Sequence, residues 1–576
     1  MFINSRLNMF KENKKHIQKS LFGFDYYLTK KKYAKLVESE EYTFYKLIFC
    51  NIDEKQFSVL YSDKKSRPNS PVNVMLSALI LKEKRGWSYK ALLDKIDFDI
   101  KTRVALGLHD FSETPFTEPT IFDFQNRINN YQVKHGVNLI EQVFDSLTAS
   151  QLKALKIKTD IQRSDSFLVA SNIRKYNRLQ LLIEVILRFH RILSEDDKKR
   201  SISLIGEYLE KGSSERYCYD LSRNDLPKEF ERIGQIYQKL IDLFGDKYGD
   251  TEIYQIVERV FEEQFTVSKE EVLLKPPEEL SSGILQSPDD IEATYRKKRD
   301  QESRGRLVNI SETANPENEI NIITDVCSTT NNKDDSKVLN KRIDKIKEKT
   351  DDLDEMHTDG GYGSEANDLK MEELKIRHIQ TAVRGRSAKV PINIEKKDGH
   401  YDVSCPLQKV KSGFARKRNK ALFDNKICSE CSLQNECSTI LQKRKNRRAY
   451  YFTEEDYFQN RRKMRILEIP PERRKIRPNV EATVREFRNN MNHKGKLKVR
   501  GAFKTDVWAY TMAISINFGR IYRYISDNSM NFSVELSFLS FFKELVNVVS
   551  ALAGKIRYFL SACWNIVGFS KKHSLC

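Results

Sequence analysis

The sequence has no long apolar segment that is free of charge. Four charged residues interrupt its most apolar stretch, residues 532–569, namely Lys543, Glu544, Lys555 and Arg557. A membrane-spanning helix needs about 18 or more apolar residues in a row, so we interpret this stretch as a buried or partner-facing pair of helices. Residues 1–36 are dotted with lysine and lack the apolar centre of a secretory signal peptide. The sequence therefore predicts a cytoplasmic protein with no membrane partner.

Cysteine is not enriched either, with 9 in 576 residues, unlike a secreted scaffold stapled by disulfides. No internal repeat is visible. The chain is instead strongly basic, with 100 Lys and Arg against 81 Asp and Glu and a net charge of +19. This excess favours a polyanionic partner, first nucleic acid and second an anionic membrane surface. A merely basic surface is the alternative.

Residues 71–132 have the spacing of helices. Apolar residues recur at helical intervals from Val72 to Leu81, Gly86 interrupts the pattern, and Ser88 is placed to cap a second helix. Pro119 precedes a third helical run. Helices joined by short turns in a basic protein are compatible with a helix-turn-helix DNA-binding domain, and equally with a plain helical bundle.

The pattern becomes strand-like at residues 157–170. Helical spacing returns from Leu179 to about Phe265, and the charged, proline-containing residues 266–300 are interpreted as a linker. Strand patterns recur at residues 306–310, at residues 320–326 and in a short segment before His357. This order predicts a mixed α/β domain that is split by an inserted helical block.

Acidic residues far apart in the chain are candidates for a metal site. Asp165 lies in the first predicted strand, where Asp160 is a rival. Asp359 lies at a strand end, before two glycines that would let the backbone turn and leave room for a phosphate or a metal ion, and Asp325 is its rival. Divalent metal ions prefer carboxylate oxygens and can drive phosphoryl transfer on DNA. Each aspartate alone would also suit an ordinary surface or turn position.

Glu481 has more local support. Residues 478–488 are predicted to form a helix with one apolar stripe. A second stripe places Glu481 among three arginines, Arg477, Arg485 and Arg488. The carboxylate could hold a metal ion while the guanidiniums bind DNA phosphates, whereas Glu486 lies on another face. A solvated helix with Glu–Arg ion pairs would have the same spacing.

Three stretches of sequence carry a resemblance to a known family. They are residues 162–173 (QRSDSFLVASNI), residues 357–363 (HTDGGYG), and residues 479–484 (NVEATV) with residues 495–501 (GKLKVRG). Together they resemble the DDE transposases of bacterial insertion sequences, which have an RNase H-like catalytic domain, and the likeness extends over about residues 65–525. The resemblance implies that Asp165, Asp359 and Glu481 form the acidic triad and bind Mg²⁺ or Mn²⁺. It thereby sets aside Asp160 and Asp325.

The superfamily signature Tyr-x2-Arg-x3-Glu-x6-Lys is matched at Arg477 and Glu481. Arg488 takes the place of the lysine and keeps its positive charge. Arg474 takes the place of the tyrosine, so the contact with the DNA end that the family assigns to the tyrosine does not carry over to this chain. The resemblance implies binding to the terminal inverted repeats of an insertion sequence as double-stranded DNA, metal-dependent strand cleavage, and transfer of the freed 3′ end to target DNA. It further implies a homodimer on DNA, associated with the nucleoid. A transposase-derived DNA-binding protein without activity and a general RNase H-like nuclease are the alternatives.

Cysteines form the last candidate site: Cys405, Cys428, Cys431 and Cys437. Two of them make a CxxC motif, and four thiolates could hold Zn²⁺ tetrahedrally. Lysines and arginines flank them at residues 409–420 and 443–448. We predict a small zinc-bound knuckle that presents basic side chains to DNA, with free thiols in a surface insertion as the alternative.

These observations predict an α/β protein with an RNase H-like mixed sheet, a helical insertion and an N-terminal helical domain. The predicted segments are an N-terminal segment (1–64), a helical DNA-binding domain (65–150), the first catalytic part (151–187), a helical insertion and linker (188–300), the second catalytic part (301–400), a basic cysteine insertion (401–450), the third catalytic part with the Glu481 helix (451–530) and an apolar tail (531–576).

Overall fold

The structure is a computed structural model that describes residues 10–18, 23–62, 68–111, 114–268, 271–298, 300–382, 390–415, 417–442, 446–492 and 495–528, without the side chains at positions 472 and 474. The chain divides into two compact units, Met1–Asn517 and Phe518–Cys576. The first unit holds every site discussed below. The apolar stretch at residues 532–569, with its predicted pair of helices, lies outside the described residues.

Helices form the N-terminal part of the first unit. They are α1 (Phe24–Tyr27), α2 (Lys30–Val37), α3 (Glu40–Leu47), α4 (Val72–Arg85), α5 (Tyr89–Phe98), α6 (Ile100–Ala105), α7 (Glu118–His135) and α8 (Leu139–Ala154). Helix α4 ends at Gly86, whose φ of +65° is left-handed and favours glycine. Ser88 caps α5 by accepting the N–H of Ala91 at 3.1 Å, and Pro119 lies in the first turn of α7. The predicted starts and stops of these helices are therefore confirmed.

Strand β1 (Ile161–Ala170) is followed by an inserted block of helices. The block contains α9 (Arg178–Ile192), α10 (Glu195–Lys211), α11 (Ser214–Asp220), α12 (Leu226–Tyr248) and α13 (Glu252–Gln264), and then the hairpin of β2 (Phe265–Ser268) and β3 (Glu271–Leu274). Buried apolar residues between Tyr176 and Leu285 give the block a core of its own. The helical pattern is confirmed, but the predicted linker at residues 266–300 holds this hairpin and a further strand, because short alternating apolar residues pair there.

The chain then returns to the sheet that contains β1. The elements are β4 (Thr294–Lys298), β5 (Gln301–Thr313), β6 (Ile323–Thr330), α14 (Asp335–Lys349), β7 (Glu355–Thr358), α15 (Glu365–Glu373) and β8 (Arg377–Gln380). The strand order is β4-β5-β1-β7-β8, and β6 also pairs with β5. Strand β1 is antiparallel to β5 and parallel to β7. The predicted mixed sheet is thus observed, with β1 at its centre.

A second sheet follows. It comprises β9 (Asn393–Lys397), β10 (His400–Ser404), β11 (Lys409–Ala415), β12 (Arg418–Asp424), β13 (Ile440–Gln442) and β14 (Arg447–Phe452), with the short helix α16 (Asn425–Ser429) between β12 and β13. Its neighbouring strands pair in antiparallel fashion. Alternate apolar residues such as Tyr401 and Val403 face Tyr457 and Phe458, so they build a core rather than a small knuckle.

Three helices complete the described chain: α17 (Glu454–Glu468), α18 (Val480–Arg488) and α19 (Ala502–Asp527). In α18 the predicted apolar stripe is buried at Val480, Val484 and Phe487. Within the described part of the chain, no helix combines the length and the apolar character needed to cross a bilayer.

Candidate active site

One face of β1 positions the segment that contains α18. Arg163, Asp165 and Phe167 lie on this face, because alternate residues of a strand point to the same side. Arg163 Nη1 donates to the main-chain oxygen of Ile476 at 2.9 Å, and the rings of Phe167 and Phe487 lie 5.4 Å apart. These two contacts fix α18 and the turn before it on either side of Asp165.

Three carboxylates meet around the guanidinium of Arg477. Its Nη2 lies 2.9 Å from Asp165 Oδ2 and 3.9 Å from Asp359 Oδ2. Its Nη1 lies 3.2 Å from Glu481 Oε1. Asp359 directly follows β7, the parallel neighbour of β1, and Glu481 lies in the first turn of α18. The fold therefore brings together the three acids proposed from the sequence, with Arg477 at their centre.

The three carboxylates differ in their burial and in their hydrogen bonds. Asp165 is buried, and its Oδ1 accepts the N–H of Ser166 at 2.9 Å. Burial raises the pKa of Asp165, while the positive charge of Arg477 acts in the opposite direction. Asp359 Oδ1 accepts the N–H of Gly361 at 2.7 Å. The Glu481 side chain is 68% exposed, so it is the member of the trio with room to move.

The glycine after Asp359 serves close packing. A Cβ on Gly360 would lie 2.7 Å from the main-chain oxygen of Ala382. A real side chain cannot approach a backbone oxygen so closely, so glycine is required there. The backbone of Ala382 therefore fills the space on the Cβ side of Gly360, and the expected room for a phosphate or a metal ion beside the two glycines stays a prediction.

The two rival aspartates have structural partners. Asp160 accepts two hydrogen bonds from Asn315 Nδ2, at 2.8 and 3.0 Å. Asp325 is fully buried on β6, where Arg342 and Lys349 lie 2.5 and 2.8 Å from its Oδ1. A buried carboxylate beside two cations is charge-compensated, which gives Asp325 a structural role, and the two amide hydrogen bonds give one to Asp160.

Two protein-family models match the chain. One is described as a transposase DDE domain and matches residues 402–522, which include Glu481. The other is described as a transposase domain (DUF772) and matches residues 33–127, which include α3 to α6 and the first part of α7. Two separate segments of the chain are therefore similar to transposase domains, which supports a DDE transposase of insertion-sequence type. No curated protein and no solved structure matches it.

The arginines of this transposase divide into two groups. Arg485 and Arg488 are exposed on α18, as a DNA-binding role would require. Arg477 differs from its prediction, because α18 begins at Val480 and Arg477 lies in the preceding turn. From there its side chain turns inward to the acids instead of extending the helical stripe. The side chain of Arg474 lies outside the described residues.

Several residues that support the acidic candidate site were not predicted. Glu312 on β5 is fully buried and accepts from Arg163 Nε and from Thr483 Oγ1, each at 2.7 Å, which ties α18 to the sheet. Asn309 Nδ2 donates to the main-chain oxygen of Asp165 at 3.2 Å. The alternation of Arg163 with Asp165 in β1 was a usable signal. Glu312 offered none, because its partners lie far away along the chain.

The four cysteines of the second sheet line one cavity of about 20 Å³. All four are free and partly buried: Cys405, Cys428, Cys431 and Cys437. Among the described residues, no group of three or more His, Cys, Asp or Glu side chains is already arranged to hold a metal ion, either here or at the acids. The basic residues at 416 and 443–445 lie outside the described part of the chain.

Proposed function

We propose that this transposase cleaves and joins DNA strands at the ends of its mobile element, using divalent metal ions held by Asp165, Asp359 and Glu481. The observation that carries the proposal is the convergence of these three carboxylates on one cation, the guanidinium of Arg477. They come from β1, from the end of β7 and from α18, so only the folded chain unites them. A cluster of three acids costs stability unless it serves a positive ligand.

The donor set fits Mg²⁺ or Mn²⁺. All three side chains are carboxylates, the oxygen ligands that these hard ions prefer, and the position of Arg477 marks a place where positive charge is stabilised. When bound, such ions activate the attacking oxygen and stabilise the leaving oxygen of phosphoryl transfer.

The residues of the chain contribute position and charge. Main-chain N–H groups orient Asp165 and Asp359, so their oxygens are aimed before any ligand arrives. Glu481 is exposed and can swing toward an ion. Arg477 offsets part of the negative charge of the trio, and with a metal ion held by the acids its guanidinium would be available to a DNA phosphate.

The central sheet supports an RNase H-like catalytic domain. Its middle strand β1 carries Asp165, the parallel neighbour β7 leads to Asp359, and α18 packs against β1 with Glu481 in its first turn. The long helical insertion, α9 to α13, begins only after β1 has ended at Ala170, so it does not interrupt the strand that carries Asp165.

Double-stranded DNA is the proposed substrate, both as element ends and as target. The exposed Arg485 and Arg488 lie on the same helix as Glu481, so phosphates that they bind would lie next to the acids. Inverted repeats present two equivalent ends, which a homodimer would bind symmetrically.

The test uses the full-length protein and the DNA that flanks its gene. Asp165→Asn, Asp359→Asn and Glu481→Gln should each lower Mg²⁺-dependent strand cleavage by on the order of 100-fold or more, because a ligand should matter at least as much as its supporting partners. Binding of the same DNA should persist. Gel assays of nicking and of 3′-end joining measure the first effect, and fluorescence anisotropy measures the second.

Two matched variants control for the loss of an acid as such. Asp160→Asn lies near the start of β1 and Glu486→Gln lies on α18, and both should retain cleavage. If the three acid variants cleave as well as the parent protein, the mechanism is wrong. If the parent protein binds DNA in a salt-sensitive way but never cleaves it, the chain is a transposase-derived DNA-binding protein instead.

A further inference from the structure

The cysteine cavity lies in the second sheet, outside the acidic site. Cys405 follows β10, Cys428 lies in α16, Cys431 lies in the turn after it, and Cys437 follows a short 3₁₀ turn. The cavity volume of about 20 Å³ is close to that of one water-sized group. Four thiols from separate turns thus surround a space suited to a single small ligand.

Two of these sulfurs already accept hydrogen bonds from side chains. Gln408 Nε2 donates to Cys428 Sγ at 3.3 Å, and Thr439 Oγ1 donates to Cys437 Sγ at 3.3 Å. Arg448 Nε donates in turn to Thr439 Oγ1 at 2.9 Å. Donors of this kind stabilise negative charge on sulfur, as a thiolate ligand requires.

The segment that carries three of the thiols is only partly buried, and Cys428 and Cys437 pack against the core of the second sheet. From Asn425 to Ser438 no residue is buried, and Ile427 is 41% exposed. Helix α16 and the following 3₁₀ turn nevertheless have defined hydrogen bonds, such as Cys431 N–H to the Cys428 oxygen at 3.2 Å. A short segment without a core of its own usually needs a disulfide or a metal ion to stay folded.

We propose that Cys405, Cys428, Cys431 and Cys437 bind one structural Zn²⁺ ion through four thiolates. The ion draws the sulfurs inward from the walls of the cavity, and the thiol protons pass to solvent. Its function is to hold residues 425–438 against β12 and β14. The zinc site is separate from the three acids, so the zinc proposal can be tested without reference to strand cleavage.

The experiment is metal analysis of the full-length protein, purified with reductant and without chelator. We expect about one Zn²⁺ per chain. Replacing Zn²⁺ with Co²⁺ should produce the visible absorption of tetrahedral Co²⁺–thiolate coordination. This spectrum is read on the parent protein, so it does not depend on whether a variant folds.

Matched variants assign the ion to its ligands. Cys428→Ser with Cys431→Ser should lose the zinc, whereas Cys218→Ser with Cys327→Ser, two cysteines elsewhere in the chain, should keep it. Asp165→Asn with Glu481→Gln should also keep it. The proposal is overturned by a parent protein that lacks zinc, by a disulfide among the four cysteines, or by zinc that remains in the Cys428→Ser and Cys431→Ser variant.

Discussion

Arg477 lies among three carboxylates, and its position indicates a role as the resident counter-charge of the site. Its side chain is 16% exposed, so its attraction to Asp165 is poorly screened by solvent. Its Nε is buried and makes no hydrogen bond among the described residues, so the two terminal nitrogens bind the acids. A residue that only gripped DNA would point outward, as Arg485 does.

The first prediction at the residue scale concerns Arg477→Gln. Without this cation the acids repel one another, so the free energy of unfolding should fall by about 1–3 kcal/mol in the absence of divalent ions. Saturating Mg²⁺ should restore most of it, and Mg²⁺ should bind more tightly because no guanidinium competes. Thermal unfolding with and without Mg²⁺, together with calorimetric titration, measures both effects.

Arg485→Gln provides the comparison for this prediction, because it removes an arginine of α18 that lies on the exposed face. Its unfolding should be unaffected with or without Mg²⁺. An Arg477→Gln protein of normal stability and normal Mg²⁺ affinity, weakened only in DNA binding, would refute the counter-charge role.

Helix α18 is the element on which the site depends, and a buried ion pair ties it to the sheet. Arg163 Nη2 lies 2.7 Å from Glu312 Oε1, and both side chains are almost completely buried. Arg163 also reaches the turn before α18 through Ile476, and Glu312 reaches α18 itself through Thr483. A shift of this pair would therefore move Glu481 relative to Asp165.

At the element scale we predict that Glu312→Gln lowers the free energy of unfolding by about 3–5 kcal/mol, because it leaves the charge of Arg163 buried without a counter-ion. Strand cleavage should fall as well. The double variant Arg163→Met, Glu312→Leu should recover much of the stability, since it removes both charges together. Denaturant unfolding of the three proteins measures the effect.

An exposed pair serves as the control for Glu312. Lys158 and Glu317 form an ion pair whose side chains are 52% and 69% exposed. Glu317→Gln should change the free energy of unfolding by less than about 1 kcal/mol. Equal effects of Glu312→Gln and Glu317→Gln would show that burial is not what makes the first pair important.

Over the whole molecule, a net charge of +19 coexists with the acidic candidate site. The general excess of positive charge would attract the proposed DNA substrate, whereas the three carboxylates would repel its phosphates. The exposed arginines of α18 resolve this conflict locally, because they place positive charge beside Glu481. Affinity for DNA should consequently depend strongly on salt.

The whole-molecule prediction is a change in that salt dependence. Arg485→Gln and Arg488→Gln should each reduce the slope of log affinity against log salt by about 1, which corresponds to the loss of one phosphate contact. Titrations of duplex DNA at several salt concentrations measure the slope. Arg191→Gln, on α9 in the inserted block, should leave it unchanged, and an equal change there would remove α18 from the proposed interface.

Local patterns predicted the local elements well. The helical spacing of α4, the cap at Ser88 and the stop at Gly86 depend on residues within a few positions of one another, and each is observed. The short strand before Asp359 is observed for the same reason. The strands within residues 266–300 and the strands of the second sheet were not predicted. Each of them is too short to show a clear alternation of apolar and polar residues, and they are defined only by pairing with one another.

The sequence by itself indicated a likeness to the DDE transposases and proposed Asp165, Asp359 and Glu481 as the acids, because the motifs around each of them consist of residues that are adjacent in the chain. Only the tertiary structure shows that all three carboxylates contact Arg477 and that Asp325 forms an ion pair with Arg342. It also shows that Glu312 binds α18 through Thr483. The physical reason is distance along the chain. Spacing within one helix or strand is set by backbone geometry, whereas these charges meet only after the central sheet has brought its strands together.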